Sequence, residues 1–222
     1  DVRTAAMQAG AQSVRVMLTA ERVTPRLIAV ASGKGGVGKS TLSTNLAIAM
    51  ARAGRSVGLV DADIYGPSQP RLMGVEGVKP EAEGNMMIPV MGAGGVPFLS
   101  MGQLVNPGQA IAWRGPMAGN ALSQLVNAKW DNIRDIVVDL PPGTGDIQLS
   151  MIQKHKPIGA VIISTPQDLA LIDAMRAISF FDTAKVPIIG LVENMAGYLC
   201  PHCGEMSDPF GSGGAEAAAK EL

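Results

Sequence analysis

Short apolar runs, rich in valine and isoleucine, recur along the chain and alternate with stretches of helical character. Strands that are apolar throughout and separated by helices are typical of a parallel sheet covered on both faces. The predicted strands are Leu27–Ala31, Val57–Val60, Ile136–Val138, Ala160–Ile163 and Ile188–Val192. The predicted helices are Thr41–Arg52, Asn120–Val126, Gln148–Lys154 and Leu169–Phe181. We therefore predict the α/β fold class, with a doubly wound, mainly parallel sheet.

The segment from Gly74 to Gly119 departs from this alternation, because it is rich in Gly, Pro and Met. Within it, Met86–Pro89 and Pro97–Met101 have the character of short strands. We predict that the segment is an irregular excursion from the sheet rather than a separate domain.

Residues 1–24 precede the first predicted strand of the sheet. Ser13–Thr19 alternates like an edge strand, and Ala5–Ala11 has helical character. We interpret residues 1–24 as an N-terminal extension or the remnant of a small upstream module, and residues 25–222 as one domain. Because the first residue is Asp rather than Met, we expect the natural N-terminus to lie upstream.

The composition excludes several classes of partner. A chain of 222 residues that is 47% hydrophobic and 17% charged can bury one sizeable core. Its net charge of −1, without a basic block, gives no support for electrostatic binding of nucleic acid. No apolar run approaches the roughly 18 residues of a membrane helix, and no signal peptide is visible. The 2 cysteines argue against a disulfide scaffold and for a reduced, cytoplasmic compartment.

Residues 33–40 read Gly-Lys-Gly-Gly-Val-Gly-Lys-Ser and fit the phosphate-binding loop (P-loop) pattern G-x-x-x-x-G-K-[ST]. The loop follows a predicted strand and opens a predicted helix, which is the context that the motif requires. Backbone N–H groups and the positive end of that helix are expected to hold nucleotide phosphates, with Lys39 at the β/γ-phosphates and the Ser40 hydroxyl on Mg²⁺. The flanking elements disfavour the alternative, a glycine-rich turn without phosphate chemistry.

Acidic residues follow two predicted strands, at the edge where parallel sheets bind ligands. Near a triphosphate, Asp61 and Asp63 are suited to contact Mg²⁺ and to orient the attacking water, although Asp61 alternatively only ends its strand. Asp139 matches the Walker B arrangement, in which a carboxylate contacts Mg²⁺ directly or through water. In the loop that follows, we expect Gly143 to leave its N–H accessible to the γ-phosphate. Asp146 ends this loop, and a plain structural role for it is to cap the next helix.

The motif Cys200-Pro201-His202-Cys203 allows three interpretations. Thiol redox chemistry uses C-x-x-C at a helix start in a thioredoxin-like unit, and this motif instead follows a late strand. A structural zinc site needs four ligands, and one chain offers two thiols plus His202 and His155 as its imidazoles. Two chains supply four thiols, a set that suits either Zn²⁺ or an iron–sulfur cluster.

The P-loop is similar to the signature G-K-G-G-V-G-K-[ST] of the deviant P-loop (SIMIBI) ATPases, the group that contains MinD, ParA and the nitrogenase iron protein. From the residues alone, Lys34 is either a solvated charge or a cation supplied to a partner's γ-phosphate. The resemblance implies the second role, and with it a nucleotide-dependent homodimer. It also implies that Asp63 positions water, that Asp61 lies nearer the metal, and that Asn194 reads adenine, which favours ATP over GTP.

These inferences define a set of expected site residues. The expected catalytic residues are Lys34, Lys39 and Asp63. The expected nucleotide-binding residues are Gly33, Lys34, Gly35, Gly36, Val37, Gly38, Lys39, Ser40, Thr41, Asp61, Asp139, Gly143 and Asn194. The expected metal ligands are Ser40 for Mg²⁺, and Cys200 and Cys203 for Zn²⁺ or an iron–sulfur cluster.

Five motifs in order resemble the Mrp/ApbC branch of this superfamily, the bacterial iron–sulfur cluster carriers. The motifs lie at Ser32–Thr41, Trp113–Pro116, Asp139–Asp146, Cys200–Gly204 and Phe210–Gly214. The similarity runs from about Arg26 to Leu222, and members of the family continue past this point. It implies that the Cys200 and Cys203 pairs of two subunits share a cluster, of [4Fe–4S] type, which cluster donors supply and apo iron–sulfur proteins receive. ATP binding and slow hydrolysis, with Mg²⁺, are implied to govern the transfer.

Rival functions remain within the same superfamily. A MinD- or ParA-like positioning ATPase needs a basic amphipathic membrane helix or a basic DNA-binding face, and Ala215–Leu222 carries too few cations for either. A nitrogenase-like electron donor places its cluster cysteines on separate segments, whereas this chain has one pair. A zinc-bridged dimeric ATPase stays open as an alternative.

Overall fold

The computed structural model describes residues 2–15, 24–64, 68–104 and 116–220. The strands, in chain order, are β1 Arg26–Ala31, β2 Val57–Asp61, β3 Glu81–Glu83, β4 Met86–Ile88, β5 Val90–Met91, β6 Pro97–Ser100, β7 Asp135–Asp139, β8 Gly159–Ser164, β9 Ile188–Glu193, β10 Tyr198–Leu199 and β11 Met206–Ser207. The α-helices are α1 Val2–Gln8, α2 Lys39–Arg52, α3 Gln69–Leu72, α4 Pro116–Val126, α5 Asp146–Lys154, α6 Asp168–Thr183 and α7 Gly214–Lys220. Two short 3₁₀ helices lie at Ala93–Gly95 and Met101–Leu104.

Seven strands form the central sheet, in the order β5-β6-β2-β7-β1-β8-β9. Every neighbouring pair is parallel except β5 and β6, which are antiparallel. The predicted α/β class with a mainly parallel sheet is therefore confirmed. All five predicted strands and all four predicted helices occur, most of them longer by one to four residues at an end.

The sheet is buried on both faces, which explains why its central strands are apolar throughout. In β1, Val30 belongs to one hydrophobic cluster, whereas Ala29 and Ala31 belong to the other. The same alternation occurs in β7, where Val137 faces one cluster and its neighbours face the second. Since successive side chains of a strand point to opposite faces, each central strand contributes to both cores.

The prediction that Gly74–Gly119 leaves the sheet is wrong in part. β6 pairs in parallel with β2, and Phe98 and Leu99 are fully buried in the core. β5 pairs with β6, whereas β4 pairs only with β3 in a separate ribbon. A four-residue strand between glycine-rich segments is too short to reveal its burial through periodicity, so the sequence did not predict this part of the sheet.

The predictions for residues 1–24 agree with the structure only in part. A helix does occur, but at Val2–Gln8 rather than at Ala5–Ala11. Residues 13–15 form no strand, and the rest of the predicted edge strand Ser13–Thr19 lies outside the described residues. The division into residues 1–24 and 25–222 stays a prediction. No helix in the described ranges has both the length and the apolar character needed to cross a bilayer.

Trp130 packs directly on β2 and requires a glycine there. Its indole Nε1 donates a hydrogen bond to the Leu125 carbonyl at 2.9 Å, which fixes the ring. A Cβ placed on Gly58 would lie 2.6 Å from Trp130 Cζ3, closer than real Cβ contacts. Gly190 in β9 is a matched comparison, since a Cβ there would lie 3.8 Å from Val161, at ordinary contact distance.

We expect Gly58→Ala to lower the free energy of unfolding by about 1–3 kcal/mol, the usual cost of overpacking a core. Gly190→Ala should leave it unchanged or slightly raised, because alanine loses less backbone entropy on folding than glycine. Urea denaturation of both variants beside the wild type provides the measurement. Equal effects at the two positions would contradict the role assigned to Trp130.

Candidate nucleotide site and cysteine hairpin

The P-loop joins the carboxyl end of β1 to the start of α2, as the motif predicts. Gly38 directly precedes the helix in the left-handed conformation, with φ 92°. A Cβ on Gly38 would lie 2.3 Å from the Asn194 amide nitrogen, so both backbone conformation and close packing require glycine here. Gly35, Gly36 and Thr41 are exposed, which leaves the outer side of the loop accessible.

A buried ion pair lies beneath the loop. Lys39 Nζ contacts Asp139 Oδ1 at 2.7 Å, and both side chains are almost completely removed from solvent. Asp63 Oδ2 lies 3.9 Å from the same ammonium. Ser43 Oγ donates a further hydrogen bond to Asp139 Oδ1 at 3.0 Å. The structure therefore brings three of the predicted residues, Lys39, Asp63 and Asp139, to one point.

Gln69 completes this network from a different element. Its side chain is fully buried at the start of α3. Its Nε2 donates to Asp139 Oδ2 and to the Ser40 carbonyl, both at 2.9 Å, and its Oε1 accepts from Thr44 Oγ1 at 2.6 Å. Both oxygens of Asp139 are thus satisfied, as a buried carboxylate requires. Gln69 and Thr44 link the P-loop helix to the segment after β2.

Asp61 is fully buried at the end of β2. It accepts hydrogen bonds from Ser100 Oγ at 2.7 Å and from the Asp63 N–H at 3.0 Å. Burial, with the nearby charge of Asp139 as the second cause, raises the pKa of Asp61 to about 8. Its carboxyl group therefore holds a proton at neutral pH in the nucleotide-free protein.

The Gly143 N–H is engaged within the protein in this structure, and its expected contact with the γ-phosphate stays a prediction. The Gly143 N–H donates to the Ser32 carbonyl at 2.9 Å. Through this bond the loop after β7 contacts the segment that begins the P-loop. Gln148 Nε2 also donates a hydrogen bond to the Gly143 carbonyl at 3.0 Å. Asp146 is the first residue of α5 rather than its cap, since Gly145 occupies the cap position without a side-chain bond.

Glu193 ends β9 and Asn194 follows it, and the side chains of both form hydrogen bonds to backbone groups of other segments. Asn194 Nδ2 donates to the P-loop carbonyl of Val37 at 2.9 Å. The Glu193 carboxylate accepts from the backbone N–H groups of Gly213 and Ala215, at 2.7 and 2.6 Å, and so stabilises the N-terminus of α7. One N–H of the Asn194 amide is therefore occupied by the protein itself, and its role towards adenine stays a prediction.

Lys34 is half-buried in the P-loop, and its role across a dimer interface stays a prediction. Its Nζ contacts Gln167 Oε1 at 3.3 Å, at the start of α6. No carboxylate pairs with it in the part of the chain that the structure describes.

The two cysteines lie on a hairpin formed by β10 and β11, in which Tyr198 pairs with Ser207 and Leu199 with Met206. Backbone hydrogen bonds close its turn, from the Cys200 N–H to the Glu205 carbonyl and from the Gly204 N–H to the Cys200 carbonyl, both at 2.9 Å. Both thiols are free.

The hairpin favours a thiolate at Cys200. Backbone N–H groups of Cys203 and His202, together with the Cys203 side chain, lower the pKa of Cys200 below its ordinary value. Because thiolate is the form that binds metals, this environment suits metal coordination. Cys203 is exposed and lies 3.8 Å from Glu205 Oε2.

One chain does not complete a metal site here. Within the described ranges, no group of three or more His, Cys, Asp or Glu side chains is placed to hold a metal ion. His155 Nε2 forms a hydrogen bond with Ser123 Oγ at 2.9 Å, where the end of α5 packs on α4. His155 is therefore not available as a metal ligand beside the thiols. A tetrahedral four-sulfur site therefore requires thiols from a second molecule.

Sequence reasoning missed four polar residues of the nucleotide site: Ser43, Thr44, Gln69 and Ser100. Ser43 lies one helical turn after Lys39, a spacing that offers a weak signal. Gln69 and Ser100 reach the site only through tertiary contacts and gave none. Residues 113–115 of the motif Trp113–Pro116 lie outside the described residues.

The pKa of Asp61 yields a prediction for the pH dependence of stability. Because its folded pKa of about 8 exceeds the ordinary value of 3.8, the folded state holds a proton that the unfolded chain releases between these values. The stabilisation is full below the lower value and is lost as the pH rises through the higher one. Asp61→Asn removes the titrating group and keeps its shape.

We expect the free energy of unfolding of Asp61→Asn, relative to wild type, to rise by about a few kcal/mol between pH values of about 5 and 9. Denaturant titrations without nucleotide or Mg²⁺ provide the measurement. Asp208→Asn, at an exposed position, serves as the control and should show a flat difference. A flat difference for Asp61→Asn as well would mean that Asp61 does not hold the proton.

Curated relatives match most of this chain. A protein of Haemophilus influenzae named iron-sulfur cluster carrier protein is 50% identical over 196 residues, which cover 88% of this chain and 53% of the relative. A protein of Arabidopsis thaliana named iron-sulfur protein required for NADH dehydrogenase, mitochondrial, is 52% identical over 196 residues, covering 87% and 62%. The chain thus spans little more than half the length of the curated relatives that it matches.

Solved structures show the same fold. A nucleotide-binding protein of Archaeoglobus fulgidus in complex with ADP, with cobalt found, has a TM-score of 0.77 and 38% identity, over 88% of this chain and 77% of that one. The cell division ATPase MinD of Pyrococcus furiosus has a TM-score of 0.64 over 89% and 80%, and its 24% identity shows the fold alone. The family model for ParA, the NUBPL iron-transfer P-loop NTPases, matches residues 23–222. The chain belongs to this family of P-loop NTPases.

Proposed function

We propose that this protein is an ATP-dependent carrier of iron–sulfur clusters. Two copies hold one cluster between their Cys200 and Cys203 pairs and deliver it to apo iron–sulfur proteins. The observation that carries the proposal is the thiol hairpin, which places a half-buried Cys200 and an exposed Cys203 on a P-loop NTPase with relatives named iron-sulfur cluster carrier protein. The cluster is the cargo of the protein and not a resident cofactor.

The surroundings of the thiols support a site shared by two copies. Tyr198, Leu199 and Met206 are 53%, 61% and 71% exposed, which gives the hairpin an apolar surface next to the cysteines. Phe210 is 44% exposed on the segment that follows. Apolar side chains exposed together are typical of protein interfaces. A second copy that covers them brings the two further thiols that a [4Fe–4S] cluster needs.

The nucleotide site supports ATP as the substrate that controls the carrier. The P-loop, Lys39 and the exposed glycines are suited to hold the phosphates, as in the solved relative that contains ADP. Hydroxyl and carboxylate oxygens are the ligands that Mg²⁺ prefers, and Ser40, Asp61 and Asp139 supply them around this site. Bound Mg²⁺ would neutralise charge on the phosphates. Asp63, next to Lys39, is suited to orient the attacking water.

A short path joins the nucleotide to the thiols. Asn194 is bonded to the P-loop at Val37, and the hairpin begins four residues later at Tyr198. On the other side of the hairpin, Glu193 holds Gly213 and Ala215. A change in the P-loop on nucleotide binding therefore reaches both ends of the hairpin segment through direct hydrogen bonds. We infer that this is how the triphosphate alters the cluster site.

A positioning ATPase without a cluster is the second candidate, supported by the MinD fold of this chain. It leaves the thiol hairpin without a role, and for this reason we favour the carrier. A zinc-bridged dimer uses the same four thiols and differs only in the metal, so the metal itself must be measured.

Reconstitution with iron and sulfide under anaerobic conditions tests the carrier. We expect a coloured protein with about two iron atoms per chain, as one four-iron cluster shared by two chains requires. Cys200→Ala and Cys203→Ala should lose the colour and most of the iron. His202→Ala retains both thiols and should therefore retain the colour and the iron. Light scattering should report a dimer for the loaded wild type.

Three results would overturn this assignment: a colourless wild type, equal iron in Cys200→Ala, or a monomer in every metal and nucleotide state. Bound zinc that iron fails to displace would instead select the zinc-bridged dimer.

ATPase measurements test the role of Lys34 in trans. Lys34→Ala should lower the rate of hydrolysis by about 100-fold or more, since cations supplied in trans contribute about 10³–10⁵. Its nucleotide affinity should persist, because Lys39 is intact. Lys156→Ala, at an exposed position away from the P-loop, should behave as wild type.

A mixing experiment separates trans from cis action. Lys39→Ala cannot hold nucleotide well but retains Lys34, so a mixed dimer with Lys34→Ala contains one complete site. Mixing the two inactive variants should therefore restore part of the activity. Full activity of Lys34→Ala alone, or no recovery on mixing, would count against action across the interface.

A further inference from the structure

A second charged cavity lies at the opposite edge of the sheet, where β1, β2 and β7 begin. It encloses about 720 Å³ and is lined by Arg26, Arg55, Arg134 and Asp135, together with the backbone that joins α2 to β2. The P-loop lies at the other end of these parallel strands. The cavity therefore belongs to neither the nucleotide site nor the cysteine hairpin.

Asp135 organises the cavity. Its carboxylate is 1% exposed and is held by two guanidinium groups. Arg26 donates to Oδ1 through Nε at 2.8 Å and Nη2 at 2.6 Å. Arg55 donates to Oδ2 through Nη2 at 2.8 Å and Nε at 3.3 Å. Each guanidinium is thus fixed at two points, although about half of each arginine side chain faces solvent.

Positive charge exceeds negative charge in this cavity. Although burial acts to raise the pKa of Asp135, hydrogen bonds from Arg55 and Arg26 outweigh it and hold the pKa below its ordinary value. Asp135 is therefore ionised at neutral pH and balances one arginine. A second arginine and Arg134 remain unbalanced. The local excess is notable in a chain whose net charge is −1.

The backbone holds the three arginines in fixed relative positions. The Arg26 N–H donates to the Arg134 carbonyl at 2.8 Å, and the Arg134 N–H donates to the Ser56 carbonyl at 2.9 Å. Strand pairing aligns Arg26 with Asp135 in the same register. The side chains of Arg26 and Arg55 are also held by Asp135, and donors that are already placed lose little entropy when a ligand enters.

Several donors of the cavity have no partner among the residues that the structure describes. A guanidinium carries five N–H groups, and Asp135 engages two from each of its arginines. Across the ranges that the structure describes, no side-chain partner occurs for Arg134. Planar guanidinium groups match the oxygens of carboxylates and phosphates in bidentate pairs.

We propose that this cavity binds a small anion that carries two or more negative charges on oxygen, of the phosphate or polycarboxylate type. The three arginines converge on one cavity rather than along an extended face, so the geometry fits a small ligand better than a nucleic acid or an acidic protein. The proposal is independent of the cluster-carrier function, because it uses none of the residues of that function.

Titration with inorganic phosphate and with citrate tests this site. The ¹⁵N-labelled chain is titrated without nucleotide or Mg²⁺, because ADP is itself a phosphate anion and citrate chelates Mg²⁺, and chloride keeps the ionic strength constant. Amide shifts of residues 33–41 report binding at the P-loop separately. Backbone amide shifts of residues 54–56 and 132–135 should change and saturate for at least one anion. The stronger of the two identifies the ligand as phosphate-like or carboxylate-like.

Two variants distinguish a built site from general positive charge. Arg134→Ala should weaken binding about tenfold or more, as expected for the loss of a charge-assisted hydrogen bond, and should fold normally because Arg134 is exposed. Arg52→Ala removes the same charge from a nearby exposed position outside the cavity and should change the affinity less than about twofold.

Shifts that never saturate, or equal losses for Arg134→Ala and Arg52→Ala, would mean that the cavity only attracts counter-ions. Binding of acidic polypeptide, duplex DNA or anionic vesicles without binding of phosphate or citrate would mean that the arginines form a contact surface for a macromolecule.

Discussion

The nucleotide site is organised by one buried charge, the carboxylate of Asp139 at the end of the central strand β7. Removing a carboxylate from water costs several kcal/mol unless charge and hydrogen bonds replace the solvent. Here Lys39 supplies the charge at 2.7 Å, and Ser43 and Gln69 supply the remaining hydrogen bonds. Because these donors come from the P-loop helix and from α3, satisfying Asp139 also fixes how both elements sit on the sheet.

Asp61 is a second buried acid near Asp139, and Lys39, the nearby cation, is already paired with Asp139. It ends the strand next to β7, is fully buried, and has a hydroxyl and a backbone N–H as its hydrogen-bond donors. Neutral donors do not offset burial near another carboxylate, so the proton stays bound, with a pKa of about 8. Asp139, in contrast, has the ammonium of Lys39 at 2.7 Å. A cation that enters beside Asp61 would have to displace this proton.

The parts of the fold and site that the sequence predicted are those with local signals. The P-loop, its flanking strand and helix, and the acids at the strand ends are contiguous patterns, and the structure brings Lys39, Asp63 and Asp139 together as expected. Gln69 is separated from Asp139 by 70 residues, and its contact depends on the register of the sheet. The short strand at Pro97–Met101 was predicted and occurs as β6, but its place in the central sheet was not, because its four residues lie between glycine-rich segments. The hydrogen bond from the Gly143 N–H to the Ser32 carbonyl was not predicted, because the two residues are far apart in sequence.

Strand β7 begins and ends with a buried aspartate, and the two ends solve the same electrostatic problem differently. Asp139 receives one lysine and neutral donors, so charge there is balanced within the protein. Asp135 receives two arginines, with a third beside it, so its surroundings hold more positive charge than the carboxylate requires. Stability alone explains a single arginine, since one guanidinium satisfies both oxygens of a carboxylate. The excess at this end is therefore better explained by an anion that is not part of the chain.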